Sequence, residues 1–307
     1  MSRGQAKPKL LITGASGLLG HPLCRLARRR WAVCGIYRRH APQVSGITSI
    51  QTDLRGLDQL SALIRRLQPE AVIHAAAVAD INYCQAHPQS SAVLNVDVPV
   101  RLAEACAELN IVYLFVSTDL VFDGRQAPYS EMRRVNPLST YARQKVQAER
   151  AVLHRYPRAQ VCRLPLMFGV SPYSAHQFSY RMLMNICQER PLSLFTDEFR
   201  TPVDNCSAAA GILTVLGRAS GLLHLGGRTR VSRYDLGILM ARALNKVPSM
   251  VRPVTIAELS LTAPRAPDVS LDSRRASALG FAPALLEAGV EKVVEQFKAI
   301  AQESETP

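Results

Sequence analysis

Short continuous apolar runs alternate, through the first half of this chain, with segments whose apolar residues recur at helical spacing. Runs at residues 10–13, 31–37, 71–74, 111–117 and 159–164 read as strands, and residues 19–29, 57–67, 91–109 and 140–154 as helices. The strands are apolar along their whole length, so both faces of their sheet must be covered. Helices between them supply that cover. Right-handed crossovers then build an α/β fold, a doubly wound parallel sheet of the Rossmann type, whose ligands gather at the carboxyl ends of the strands. Beyond about residue 165 the rhythm loosens. The pattern there predicts a helix over 178–189, a strand at 222–225 before Gly226-Gly227, and a helix over 232–245 with Ser232 as N-cap. An irregular, proline-bearing stretch at 248–267 and an amphipathic helix over 285–301 complete the chain. The expected organisation is a dinucleotide-binding domain over 1–165, joined in its sheet by a later strand near 222–226, and a smaller, interleaved C-terminal substrate lobe over 166–307.

Composition narrows the function classes. The 307 residues are ordinary for a globular protein, and no apolar stretch reaches the length of a membrane span. A polar N-terminus running straight into a strand gives no signal peptide, so the expectation is a cytoplasmic protein with no membrane partner. Seven cysteines are dispersed without CxxC spacing, which predicts reduced thiols, no disulfide framework and no metal site. Cys84 is close to the expected cleft and reads as a small core residue. The net charge of +13 includes Arg25, Arg28, Arg29 and Arg30, and the pair Arg38-Arg39. No basic tail, aromatic platform or finger signature accompanies it, so nucleic acid is not the expected partner. An electropositive cleft for an anionic cofactor and substrate absorbs part of the charge.

The spacing Gly14-x-x-Gly17-x-x-Gly20, directly after the first strand, carries the first chemistry. Its glycines allow a tight turn, close approach of backbone to a pyrophosphate, and helix–strand packing, with Ser16, Leu18 and Leu19 completing the loop. The end of the second strand selects the cofactor. An acid there would accept from a ribose 2′-hydroxyl, but the segment carries Arg38 and Arg39, whose guanidinium groups suit a 2′-phosphate. NADP(H) is therefore expected over NAD(H). Asp53, with Leu54 beside it, follows a third strand and is expected to accept from the adenine amino group. Ala75, Ala76 and Ala77 end the fourth strand with little bulk, suiting passage of the nicotinamide ribose.

Tyr141 and Lys145 lie four residues apart on one helical face. An ammonium beside a phenol is expected to draw its pKa down toward working pH, and Thr118 can donate a hydrogen bond to a carbonyl oxygen that also faces Tyr141.

These motifs, with His74-Ala75-Ala76-Ala77, Asn95-Val96-Asp97, Val116-Ser117-Thr118-Asp119 and Asn136-Pro137-Leu138-Ser139-Thr140-Tyr141, resemble the extended short-chain dehydrogenase/reductases, and within them the dTDP-4-dehydrorhamnose reductase group. The resemblance implies NADPH-dependent reduction of a nucleotide-linked 4-keto-6-deoxysugar. Tyr141 would be proton donor, Lys145 would hold the nicotinamide ribose, and Thr118 would orient the carbonyl. Leu120 follows Asp119 where related dehydratases carry a second acid, which points away from dehydration and leaves Asp119 to support the loop or touch substrate. Arg200 is expected to meet the substrate diphosphate or, equally, an acid of the C-terminal lobe. The same motifs also resemble the regulatory beta subunit of methionine adenosyltransferase, an NADP-binding partner protein, and other extended-family sugar epimerases and reductases. A homodimer is the default expectation.

Overall fold

The computed structural model describes residues 6–173 and 177–305. The chain begins β1 (Lys9–Thr13), α1 (Gly20–Ala27), β2 (Ala32–Tyr37), β3 (Thr48–Gln51), α2 (Leu57–Leu67) and β4 (Ala71–His74). Next come α3 (Ile81–Ala86), α4 (Pro88–Ala92), a π-helical turn (Val93–Asp97), α5 (Val98–Glu108), β5 (Val112–Thr118), α6 (Thr140–Arg155) and β6 (Gln160–Leu164). The second half holds β7 (Met167–Phe168), α7 (Phe178–Cys187), β8 (Leu192–Phe195), β9 (Phe199–Arg200), β10 (Val203–Asp204), α8 (Asn205–Val215) and β11 (Gly221–His224). It ends with β12 (Val231–Ser232), α9 (Arg233–Ala243), β13 (Val251–Val254), α10 (Arg274–Ala278) and α11 (Leu286–Glu305). Among the described residues no helix is long and apolar enough to cross a membrane.

Seven strands form one parallel sheet in the order β11-β6-β5-β4-β1-β2-β3. The winding reverses between β1 and β4, and the crevice at a reversal is where such sheets hold ligands. Leu10, Ile12, Leu114 and Leu223 face α1 and α8 on one side, and Leu11, Val72, Phe115 and Val161 pack toward α2, α5 and α6 on the other. A separate core of Met182, Leu194, Leu236, Val290 and Phe297 belongs to the C-terminal segments.

Side-chain caps set several helix starts. Ser139 accepts from Ala142 N at 3.3 Å to begin α6, Asp204 accepts from Ser207 N at 2.9 Å to begin α8, and Ser232 with Asp235 forms a capping box on α9. Two expectations need correction. The single helix expected over 91–109 is interrupted: the Val98 N–H reaches back five residues to the Val93 carbonyl. Pro99 has no N–H to give the Asn95 carbonyl, and the π turn absorbs that missing bond. The stretch 248–267 is also more ordered than its prolines suggest. It contributes β13, which pairs in parallel with β8, Val251 opposite Leu192. Pro253 is tolerated because a two-stranded sheet leaves one side of each strand unpaired.

Candidate active site

The chain turns immediately after β1. Gly14 has a φ of +69°, in the left-handed region, and a Cβ there would stand 3.0 Å from the Ala76 backbone. A Cβ on Gly20 would meet the Gly14 carbonyl at 2.0 Å. The Gly17 N–H donates to that carbonyl at 2.9 Å, closing the bend. Ser16 and Leu18 are partly exposed on it, and Leu19 is buried beneath. The α1 N-terminus carries no side-chain cap and no acid in its first turn, and there the His21 N–H is spent on the Gly17 carbonyl at 3.0 Å and the Leu23 N–H on the Leu19 carbonyl at 3.1 Å. Opposite the bend lie Ala75, Ala76 and Ala77, partly exposed past the end of β4. The Thr13 hydroxyl ties the two sides together, accepting from Ala75 N at 3.2 Å and Ala76 N at 3.3 Å.

Arg38 and Arg39 are exposed just beyond β2. Among the described residues neither guanidinium has an ion-pair partner. Asp53 lies past β3, where its carboxylate is gripped by Arg55 through Nε at 2.9 Å and 3.0 Å. The Arg55 bond holds Asp53 at about 2, far into its ionised range. The acid expected to face adenine is therefore already engaged, and Leu54 is buried behind it. The bend, the small-residue wall and the exposed arginines beyond β2 fit a nicotinamide dinucleotide.

Thr118 ends β5 and Tyr141 stands in the first turn of α6, both buried. Burial, then the charges of Asp119 and Cys84, push the Tyr141 phenol well above its ordinary value, with Thr118 pulling the other way. Lys145, 2% exposed, donates to the Val116 carbonyl at 2.7 Å and sits 4.0 Å over the Phe115 ring. Burial brings it down to about 7, against the charge of Glu149. This corrects the expected direction for the phenol: the ammonium is committed to β5, and desolvation keeps the Tyr141 proton in place.

Arg200 is 2% exposed and lies between two acids. Its Nη1 donates to Asp119 Oδ2 at 3.0 Å and its Nη2 to Glu198 Oε1 at 2.6 Å. Arg233 approaches the other oxygen of Glu198 at 3.1 Å. Of the two expectations for Arg200, the geometry places it on an acid of the C-terminal segments, and on Asp119 as well. Burial raises Asp119 above the usual carboxylate range, opposed by Arg200. The Thr118 hydroxyl donates to Asp119 Oδ1 at 3.2 Å and accepts from Leu120 N at 3.2 Å.

Residues 8–299 match the sequence profile of the RmlD substrate binding domain. This chain belongs to the RmlD substrate-binding domain family. It is 30% identical over 282 residues to the methionine adenosyltransferase 2 subunit beta of Xenopus tropicalis, covering 89% of this chain and 82% of that protein. A crystal structure of a hypothetical dTDP-4-dehydrorhamnose reductase from Sulfolobus tokodaii superposes with a TM-score of 0.79 at 26% identity, covering 92% of this chain and 98% of that one. The dTDP-4-dehydrorhamnose reductase of Bacillus anthracis, crystallised with NADP, shares the fold with a TM-score of 0.83 at 20% identity, over 94% and 99% of the two chains.

Within this RmlD-family site several supports were invisible to motif reading. Asn205 Nδ2 donates to the Leu18 carbonyl at 3.2 Å and the Val170 carbonyl at 3.1 Å, tying the glycine bend to α8. Asn95, on the π turn, bonds both backbone groups of Val78 and the Gln144 side chain, fixing α6 against the loop after β4. Glu198 had no signal in the sequence, since an acid beside Asp197 just ahead of a short strand looks like surface.

Proposed function

We propose that this protein is an NADPH-dependent reductase of a nucleotide-linked 4-keto-6-deoxysugar, of dTDP-4-dehydrorhamnose reductase type. The observation that carries the reading is a buried phenol, Tyr141, which desolvation raises above its ordinary value against the pull of Thr118, in the first turn of the helix that also presents Lys145. NADPH, when bound, supplies the hydride. Gly14, Ser16, Gly17, Leu18 and Leu19 would cradle its diphosphate, and Arg38 and Arg39 its 2′-phosphate, with Ala75–Ala77 giving the ribose room. Tyr141 then delivers its proton to the ketone oxygen, and Thr118 orients that oxygen by donating a hydrogen bond. Lys145 offers its remaining donors to the ribose hydroxyls and supplies positive charge as the phenolate forms. The Sulfolobus tokodaii relative supports the reductase chemistry, and the NADP in the Bacillus anthracis structure supports the cofactor.

A second reading is an NADP-binding partner subunit. The methionine adenosyltransferase relative favours it, as does the sequestration of Arg200 between Asp119 and Glu198, which removes one cation from a diphosphate-bearing substrate. NADPH consumption measured against dTDP-, UDP- and GDP-linked 4-keto-6-deoxyhexoses separates the two. Turnover that disappears in Tyr141→Phe supports the reductase. Tight NADPH binding with no turnover on any ketone supports the partner subunit.

A further inference from the structure

One turn beyond Lys145, on the same face of α6, lies Glu149, 3% exposed. Every oxygen of its carboxylate is spoken for. Oε1 accepts from Ser117 Oγ at 2.5 Å and Arg163 Nε at 2.9 Å, and Oε2 accepts from Arg163 Nη2 at 2.6 Å. Arg163 is itself held from behind. Its Nη1 donates to His224 Nε2 at 3.3 Å, while His224 Nδ1 donates to the Tyr129 carbonyl at 3.0 Å. Both ring nitrogens of His224 are thereby assigned, and the ring is neutral.

The groups facing Lys145 from each neighbouring element are few. From β5 come the Val116 carbonyl and the Phe115 ring. From β4 comes His74, whose Nδ1 lies 2.7 Å from Thr13 Oγ1. That hydroxyl already accepts from Ala75 N and Ala76 N, so its one proton goes to Nδ1 and His74 stays neutral. From α6 itself come Tyr141, which keeps its proton, and Glu149. The carboxylate whose charge acts on Lys145 is Glu149.

We propose that Glu149, clamped by Arg163 and Ser117, is the positioning residue that favours the ammonium form of Lys145 without binding it. The clamp engages each carboxylate oxygen with Arg163 or Ser117, and so leaves Lys145 on the Val116 carbonyl where it would otherwise be drawn down α6 into a direct pair. The inference rests on the reading of Lys145 as part of the reductase site, but it concerns the charge of one side chain and is measurable in the ligand-free protein.

The test is a pH titration of Lys145 by ¹³Cε NMR in protein labelled at its six lysines, the signal assigned by its loss in Lys145→Arg. Glu149→Gln should lower the Lys145 midpoint by about one pH unit or more, because an attractive charge one helical turn away is removed. Arg163→Lys bonds the carboxylate at one point only and frees an oxygen to reach Lys145, so the midpoint should rise. A folded Glu149→Gln protein whose midpoint stays or rises overturns the proposal. If Glu149→Gln does not fold, Arg163→Lys decides alone: a raised midpoint supports the clamp and an unmoved one overturns it. Shifts in both variants from a protein that reduces no ketone would leave this inference standing and remove the reductase reading.

Discussion

Arg200 and Asp119, 81 residues apart in sequence, are joined by a buried ion pair of 3.0 Å directly beside the Thr118 hydroxyl. The pair links the end of β5 to β9, and Glu198 extends it to Arg233 at the start of α9. Replacing Arg200 by Gln would strand the buried Asp119 carboxylate and leave Glu198 with Arg233 alone, and breaking such a pair costs about 3–5 kcal/mol. Urea unfolding should show that loss. A variant as stable as the parent would mean that the arginine is free to serve substrate.

Tyr141→Phe removes the proton donor and little else. We expect kcat to fall by about 10²–10⁴-fold, the usual contribution of a positioned general acid, with NADPH affinity changed less than about threefold. Steady-state kinetics and calorimetry on the same preparation check both halves. Equal losses in kcat and cofactor affinity would assign the phenol to binding.

Arg38→Ala and Arg39→Ala should each weaken NADPH binding by about tenfold and leave NADH binding nearly unchanged, since each removes charge-assisted bonds to the 2′-phosphate alone. Fluorescence titration with both cofactors measures the ratio. Parallel weakening of the two would show that these side chains only face solvent.

Gly20→Ala should abolish cofactor binding, because its methyl group would stand 2.0 Å from the Gly14 carbonyl that closes the bend. Calorimetry showing unimpaired NADPH binding would place the diphosphate elsewhere.

The pH dependence follows from Lys145. Burial lowers it from 10.5 to about 7, against Glu149. Between those values the unfolded chain holds a proton that the folded chain has released, so this group makes stability rise as pH climbs from about 7 to about 10.5 and is most costly below 7. The melting temperature of the parent, measured relative to Lys145→Met, should therefore climb across that window. Reduction should slow above about pH 7 as the ammonium is lost, and Lys145→Arg should remove that alkaline limb, since a guanidinium keeps its proton. A limb that persists in Lys145→Arg belongs to another group.

The fold was legible because its signals are local. Apolar strands at the spacing of a doubly wound sheet, the glycine bend and the Tyr141–Lys145 interval each fit within one or two elements. Two local readings failed for local reasons. Pro99 forced a π turn into what periodicity reads as one helix, and Pro253 disguised a strand that exists only because Leu192–Phe195 lies beside it.

By itself the sequence determined most of the elements of the first half, that the sheet is parallel and covered on both faces, and that a glycine bend follows its first strand. Tertiary structure decided how the charges are spent. It gave Asp53 to Arg55, divided Arg200 between Asp119 and Glu198, turned Lys145 onto Val116, and raised the Tyr141 phenol where the motif alone suggested lowering it. The physical reason is that ionisation depends on desolvation and on partners brought together across the whole chain, and neither is written in the spacing of neighbouring residues.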